Sequence, residues 1–379
     1  MRNQPNRNLR AAVAVALAAV AWQSPAAALG KGDTELEWKG KTTALDELPE
    51  ALEGDARTAL AEWGPWAEER GYSLALSDDQ RVLFLHELKG RTLKKRLATI
   101  EDTLAFADRL LPLPPRDEAR PRPASAGSWS WSNDGPPLES GTIVLFQTRA
   151  QADTSAVLDS AVREHPYLAS FAAGARGLPG FLLQRPLCAA WTNGGPGQEE
   201  WSAENELIHR LSQLLMLRRF GPQPGWISMG FGWFAESELA DSIYCFPYRE
   251  GFVFATEHDG WDTELKRTFK KRDEVPFDEL AGWVRGTYDP EAAQLAWGLV
   301  RFLAEHRPEA LSPSLEQLRQ LRDEKGIVRH GDGTWERVPN FQVSAEDQRA
   351  VFESQAGDDV FPELLRFFQK GKGYRPPKR

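Results

Sequence analysis

The sequence predicts an α+β fold, and three observations carry that prediction. Short strand-like runs are confined to the first half of the chain. Segments with helical period fill the second half, and no internal repeat is present. Asp55 to Arg70 reads as a helix, followed by Tyr72–Leu76 and Arg81–Leu85 as short strands. Leu93 to Leu111 has helical period, with Leu97, Ile100, Leu104, Phe106 and Leu110 on or near one face. Pro112 to Ser140 then changes texture: it is rich in Pro, Ser, Gly and Arg, lacks an apolar period and reads as an exposed loop or linker. Thr142–Phe146 (TIVLF) has the character of a buried strand and Ala152–Arg163 of a helix, and Phe181–Trp191 holds one or two strands around Pro186. From Trp201 the expected helices are 201–220, 231–243, 277–286, 290–305, 313–324, 345–355 and 361–370.

The first 28 residues have the three parts of a secretory signal peptide. Arg2, Arg7 and Arg10 form a positive start, Ala11 to Ala21 a short apolar run, and Ala26-Ala27-Ala28 a small-residue cleavage site before Leu29. The apolar run is shorter than the roughly 20 residues that a membrane-spanning helix needs. The expectation is an exported chain, periplasmic or extracellular, with no membrane association after cleavage. Loss of the three arginines takes the formal net charge from −9 to −12. Such acidity argues against a nucleic-acid partner, whose phosphates attract basic faces. Fourteen tryptophans are ample for a core, and Trp63, Trp66, Trp191, Trp201, Trp226, Trp233 and Trp297 lie among apolar neighbours. Cys188 and Cys245 are the two cysteines, which in an oxidising compartment suggests one disulfide, with two separate buried thiols as the alternative. Two cysteines alone cannot make a structural zinc site.

One segment carries chemical information: Glu204-Asn205-Glu206-Leu207-Ile208-His209-Arg210. On a helix, Asn205 and His209 lie one turn apart on one face, which Ser212 and Met216 continue. Leu207, Ile208, Leu211, Leu214 and Leu215 cover the opposite arc, so the expected helix has a core side and a side bearing Asn205, Glu206 and His209. Gly221 and Pro222 supply the stop signal. The pattern is H-E-x-x-H with asparagine in the first histidine's place; in the intact motif two histidines bind zinc and the glutamate activates bound water. Gly230 to Glu236 then places a Trp-x-x-Glu at the start of the next expected helix, 27 residues beyond His209. His86-Glu87-Leu88 imitates the start of the motif, but position 90 is glycine and the histidine follows a strand-like run, which marks it as a decoy. There is no G-x-S-x-G elbow, P-loop or G-x-G-x-x-G.

From about Thr142 to the C-terminus, the chain resembles the peptidase-MA-like (gluzincin) domain of exported bacterial proteins. The residues that carry the likeness are the TIVLF strand, the 204–210 helix, Trp233-Phe234-Ala235-Glu236 with Leu239-Ala240, and Tyr288 with Ala296 and Leu299-Val300-Arg301-Phe302-Leu303. The resemblance implies a zincin-like domain with a small mixed sheet followed by a mainly helical C-terminal part. The expected organisation is a signal peptide over 1–28, an N-terminal α/β segment over 29–111, the loop or linker over 112–140, and the gluzincin-like region over 141–379. The resemblance also makes Glu206 the general base, and His209 and Glu236 metal ligands.

Two positions depart from the family pattern: Asn205 stands where it has histidine, and Ser237 where glycine is usual. A carboxamide oxygen is a poor zinc ligand beside an imidazole nitrogen. The expectation is therefore a decayed metal site with no resident cofactor: a pseudopeptidase whose cleft takes a peptide or protein ligand. The rival is an active zinc peptidase in which Asn205 or another histidine (His165, His258, His306 or His330) supplies the missing ligand. A structural or carbohydrate-binding module, hinted at by the tryptophans, is the third reading.

Overall fold

The computed structural model describes residues 35–47, 50–112, 141–192, 202–244, 260–283, 289–330, 335–338 and 341–376. The leader over 1–28, the loop or linker beyond residue 112, Trp201, Cys245, His258 and Tyr288 lie outside them. Strands β1 (Glu35–Trp38), β2 (Lys41–Ala44), β3 (Ser73–Leu76), β4 (Val82–His86), β5 (Ile143–Thr148), β6 (Gly180–Leu183) and β7 (Cys188–Thr192) form one mixed sheet in the order β2-β1-β3-β4-β5-β7-β6. β4, β5 and β7 are mutually parallel, and β6 closes that edge antiparallel to β7. Because β4 pairs with β5, strands from both sides of the Pro/Ser-rich stretch belong to the same sheet.

The sheet is larger than expected, because β1 and β2 escape sequence reading. ELEW and KTTA are short and half polar, with no apolar run. They become strands through a two-residue turn in which Lys39 (φ 51°) and Gly40 (φ 69°) both take positive φ, and through β1 pairing with β3.

Helices cover both faces. On one side, α1 (Gly54–Arg70), α3 (Gln151–Glu164) and α4 (Ala169–Ala175) pack their apolar residues on Leu74, Leu85, Val144, Phe146 and Cys188. On the other, α2 (Gly90–Leu110) and α5 (Ala203–Phe220) cover Phe84, Leu145, Ala189 and Trp191. Beyond α5 comes a helical body: α6 (Gly225–Leu239), α7 (Trp261–Phe269), α8 (Phe277–Ala281), α9 (Pro290–His306), α10 (Pro308–Lys325), α11 (Ala345–Ala356) and α12 (Val360–Lys370). A small hairpin, β8 (Ile327–Arg329) with β9 (Trp335–Arg337), interrupts it. The third core gathers these helices around Trp226, Trp233, Trp261 and Phe302, and Phe106, Leu110, Ile208 and Phe220 extend into it from α2 and α5. The architecture is α+β: a seven-stranded mixed sheet with a mainly helical C-terminal part.

Three expectations need correction. The helix read as 231–243 is α6, which runs from Gly225 to Leu239, so Glu236 sits in its last turn rather than its first. Glycine at 225, 230 and 232 lowers local helix propensity, but close packing overrides it: a Cβ at Gly230 would lie 2.5 Å from the Ala296 carbonyl oxygen of α9. The helix expected over 277–286 ends at Ala281. On α5, the arc bearing Asn205, Glu206, His209, Ser212 and Met216 is buried like the opposite one, because α6 lies against it.

Candidate functional site

The first turn of α5 is held by Ser202, whose hydroxyl accepts from the Asn205 backbone N–H at 3.3 Å; Glu204 and Glu206 add carboxylates that favour a helix start. One turn separates Asn205 from His209 on the face toward α6. Gly232 lets α6 come close, since a Cβ there would lie 2.7 Å from both Cε1 and Nδ1 of the His209 ring. That approach brings Glu236 between the two α5 residues.

Asn205, His209 and Glu236 come together across the α5–α6 seam. Asn205 Nδ2 donates to Glu236 Oε2 at 2.9 Å, and the His209 Nδ1 edge meets Glu236 Oε1 at 2.7 Å. All three are buried, and Glu236 is completely so. The surrounding partners carry no sequence signal except one. The Tyr244 backbone N–H donates to Glu236 Oε2 at 2.7 Å, and Asn205 Nδ2 also donates to the Ser242 carbonyl oxygen at 2.8 Å. These two contacts belong to the backbone, which sequence pattern does not report. Gln213 is the exception, standing four residues after His209 on the same helical face. Its Nε2 donates to His209 Nε2 at 3.1 Å and faces the Ser228 carbonyl at 3.4 Å and Met229 Sδ at 3.0 Å. With Nε2 accepting, the imidazole proton lies on Nδ1 and donates to Glu236.

Glu206 does not join this group. Its Oε2 accepts from Arg210 Nε at 2.7 Å, one turn along the same helix, and its side chain is 3% exposed. Arg210 is held against the sheet edge, where Gly180 gives it room: a Cβ there would come within 2.6 Å of Arg210 Nη2.

These residues do not fit a catalytic zinc ion. Both ring nitrogens of His209 are in hydrogen bonds, Glu236 accepts three N–H donors, and Asn205 turns its donor nitrogen, not its oxygen, toward the carboxylate. Among the described residues no cluster of three or more His, Cys, Asp or Glu side chains has metal-binding geometry. His86 ends β4, His165 follows α3 and stands beside Tyr167, and His306 ends α9 against Phe302, Phe367 and Tyr374. What the arrangement does chemically is to satisfy a fully buried carboxylate, tying α5, α6 and residues 242–244 together.

Trp63, Trp66, Trp191, Trp226, Trp233 and Trp297 are core residues, at most 7% exposed, so none offers a platform to a sugar. Cys188 is buried in β7 on the sheet face away from α5, and burial pushes its thiol well above the usual range. No described helix is long and apolar enough to cross a membrane. No family model matches the chain, and no curated protein matches it either.

Proposed function

We propose that this is an exported gluzincin-like pseudopeptidase, in which a hydrogen-bond network stands in the place of the catalytic metal and the remaining cleft takes a peptide or protein ligand. The observation that carries the reading is the convergence of Asn205, His209 and Glu236 on one buried carboxylate, with Glu206 engaged by Arg210. Three positions that the gluzincin pattern assigns to ligands come together from two helices. Their side chains are spent on one another. Without a free base at Glu206 or an open nitrogen on His209, peptide hydrolysis has no activated water, so the role left to the fold is recognition. The signal-peptide pattern of residues 1–28 supports a role outside the cytoplasm.

The test restores what is missing. Asn205→His puts a second imidazole one turn before His209, completing a His/His/Glu set with a fourth position for water. Zinc affinity, measured by competition with a chromogenic chelator, should rise about a hundredfold or more, since imidazole replaces a weak oxygen donor. Pairing Asn205→His with His209→Ala or Glu236→Ala should abolish the gain. A parent protein that purifies with near-stoichiometric zinc, lost on mutating His209 and Glu236, would support the active-peptidase reading instead. An Asn205→His variant that binds zinc no better than the parent would refute the gluzincin assignment.

A further inference from the structure

A second polar constellation lies where β4, β5 and β7 end, on the face that α2 and α5 cover. Leu85 pairs with Phe146, and Gln147 pairs with Trp191, so His86, Gln147 and Trp191 stand side by side on three parallel strands. Adjacent strands are about 4.8 Å apart. Strand alternation puts the three on the same face as Phe84, Leu145 and Ala189, which belong to the layer under α2 and α5. Among the described residues each carries a buried polar atom without a partner: Nε2 of His86, Oε1 of Gln147 and Nε1 of Trp191. The Leu88 N–H donates to His86 Nδ1 at 3.1 Å, which leaves the ring proton on the unpartnered Nε2.

From α2, whose Leu93 and Ile100 pack in this layer, comes Arg96 on the same helical stripe, 8% exposed; among the described residues its Nε and Nη1 also lack partners. Arg96 is on the α5-facing side of α2, because Thr99, one turn on, hydrogen-bonds Glu204 at the start of α5. The nearby carboxylates are taken. Lys95 Nζ contacts Glu204 at 2.5 Å, and Arg210 engages Glu206. Arg96 is thus a buried cation with no carboxylate in hydrogen-bond contact among the described residues.

We propose that Arg96, His86 and Trp191 form a binding site for a small carboxylate at the carboxyl ends of β4, β5 and β7. The donor inventory selects this ligand. The unpartnered nitrogens carry five N–H groups (three on Nε and Nη1 of the guanidinium, one on the imidazole and one on the indole) against a single unpartnered acceptor, Gln147 Oε1. One water molecule accepts two hydrogen bonds, whereas a carboxylate accepts about four and also neutralises the buried charge. Gln147 is half-buried, marks the way in, and can turn its amide to donate as well. The carboxyl ends of parallel strands are a common location for ligands in open sheets. The same chemistry is offered by a free short acid or by the C-terminus of a peptide. The site does not depend on the reading of Asn205, His209 and Glu236.

The test follows indole N–H resonances of the 15N-labelled mature protein, with Trp191→Phe identifying the Trp191 signal. At constant ionic strength, sodium acetate should move that signal along a saturable curve while sodium chloride leaves it in place. Saturating acetate should raise the melting temperature by about 2–4 °C. Trialanine as the free acid, compared with its C-terminal amide, separates the sources: a tighter response to the acid than to acetate assigns a peptide terminus, and a weaker one a free short acid. Arg96→Met, checked for folding by circular dichroism, should lose the response. The proposal is overturned if neither acetate nor the trialanine acid moves the Trp191 signal, if chloride moves it equally, or if Arg96→Met responds like the parent. Should Arg96→Met fail to fold, the acetate–chloride comparison on the parent protein decides alone.

Discussion

At the scale of single residues, Glu236 has the most at stake. Its carboxylate is fully buried and accepts from Asn205, His209 and the Tyr244 backbone, so its removal leaves three donors without an acceptor. Glu236→Ala should cost about 3 kcal/mol or more of stability in urea unfolding, because unsatisfied buried donors keep their full desolvation penalty. If Glu236→Ala instead unfolds at the parent's urea midpoint, the network contributes nothing. His86 makes a pH prediction. Burial pushes its pKa down to about 4, against an ordinary value of 6.5. The unfolded chain therefore takes up this proton before the folded chain does. Its contribution is fully present above pH 6.5 and is lost as pH falls toward 4. The loss is about 3 kcal/mol when about 2.5 pKa units are converted at 1.36 kcal/mol each. Stability measured across that window in carboxylate-free buffer should fall less steeply for a folded His86→Phe variant than for the parent.

At the scale of elements, the seam between α5 and α6 decides whether the candidate residues meet. The Asn205/His209 spacing was legible, since helical period alone puts those residues on one face. So was the return of Glu236 from the next helix. The position of Glu236 inside α6 was not, because Pro222, Pro224, Gly225 and Gly230 put the expected helix start at 231 and hid the true start at Gly225. In the fold, Gly232 is where the His209 ring touches the backbone of α6. Gly232→Ala should therefore destabilise by about 1–3 kcal/mol through overpacking, despite alanine's higher helix propensity. An equal or higher urea midpoint for Gly232→Ala would mean that the two helices do not lie this close.

At the scale of the whole molecule, the sheet and the helical body share elements. β4 pairs with β5, and both α2 and α5 place residues in the sheet core and in the helical core. Residues 35–112 should therefore not unfold separately from the rest. Far-ultraviolet circular dichroism and tryptophan fluorescence should report one coincident unfolding transition. Two resolved transitions would show that the shared helices do not couple the cores.

The amino-acid sequence by itself determined the α+β class, the pairing of Asn205 with His209 on one helical face, and much of the element order from Asp55 to Lys370, though α4, α7 and the β8–β9 pair carried no expectation. Local period and stop signals are short-range properties that a linear reading captures. Tertiary structure alone decided the rest. It recruited ELEW and KTTA into the sheet by pairing and buried the Asn205 arc of α5 under α6. It occupied Glu236 with the Tyr244 backbone and aligned His86, Gln147 and Trp191 through strand register. Each of these depends on which partner lies opposite a residue, and that is set by packing between segments far apart in the chain.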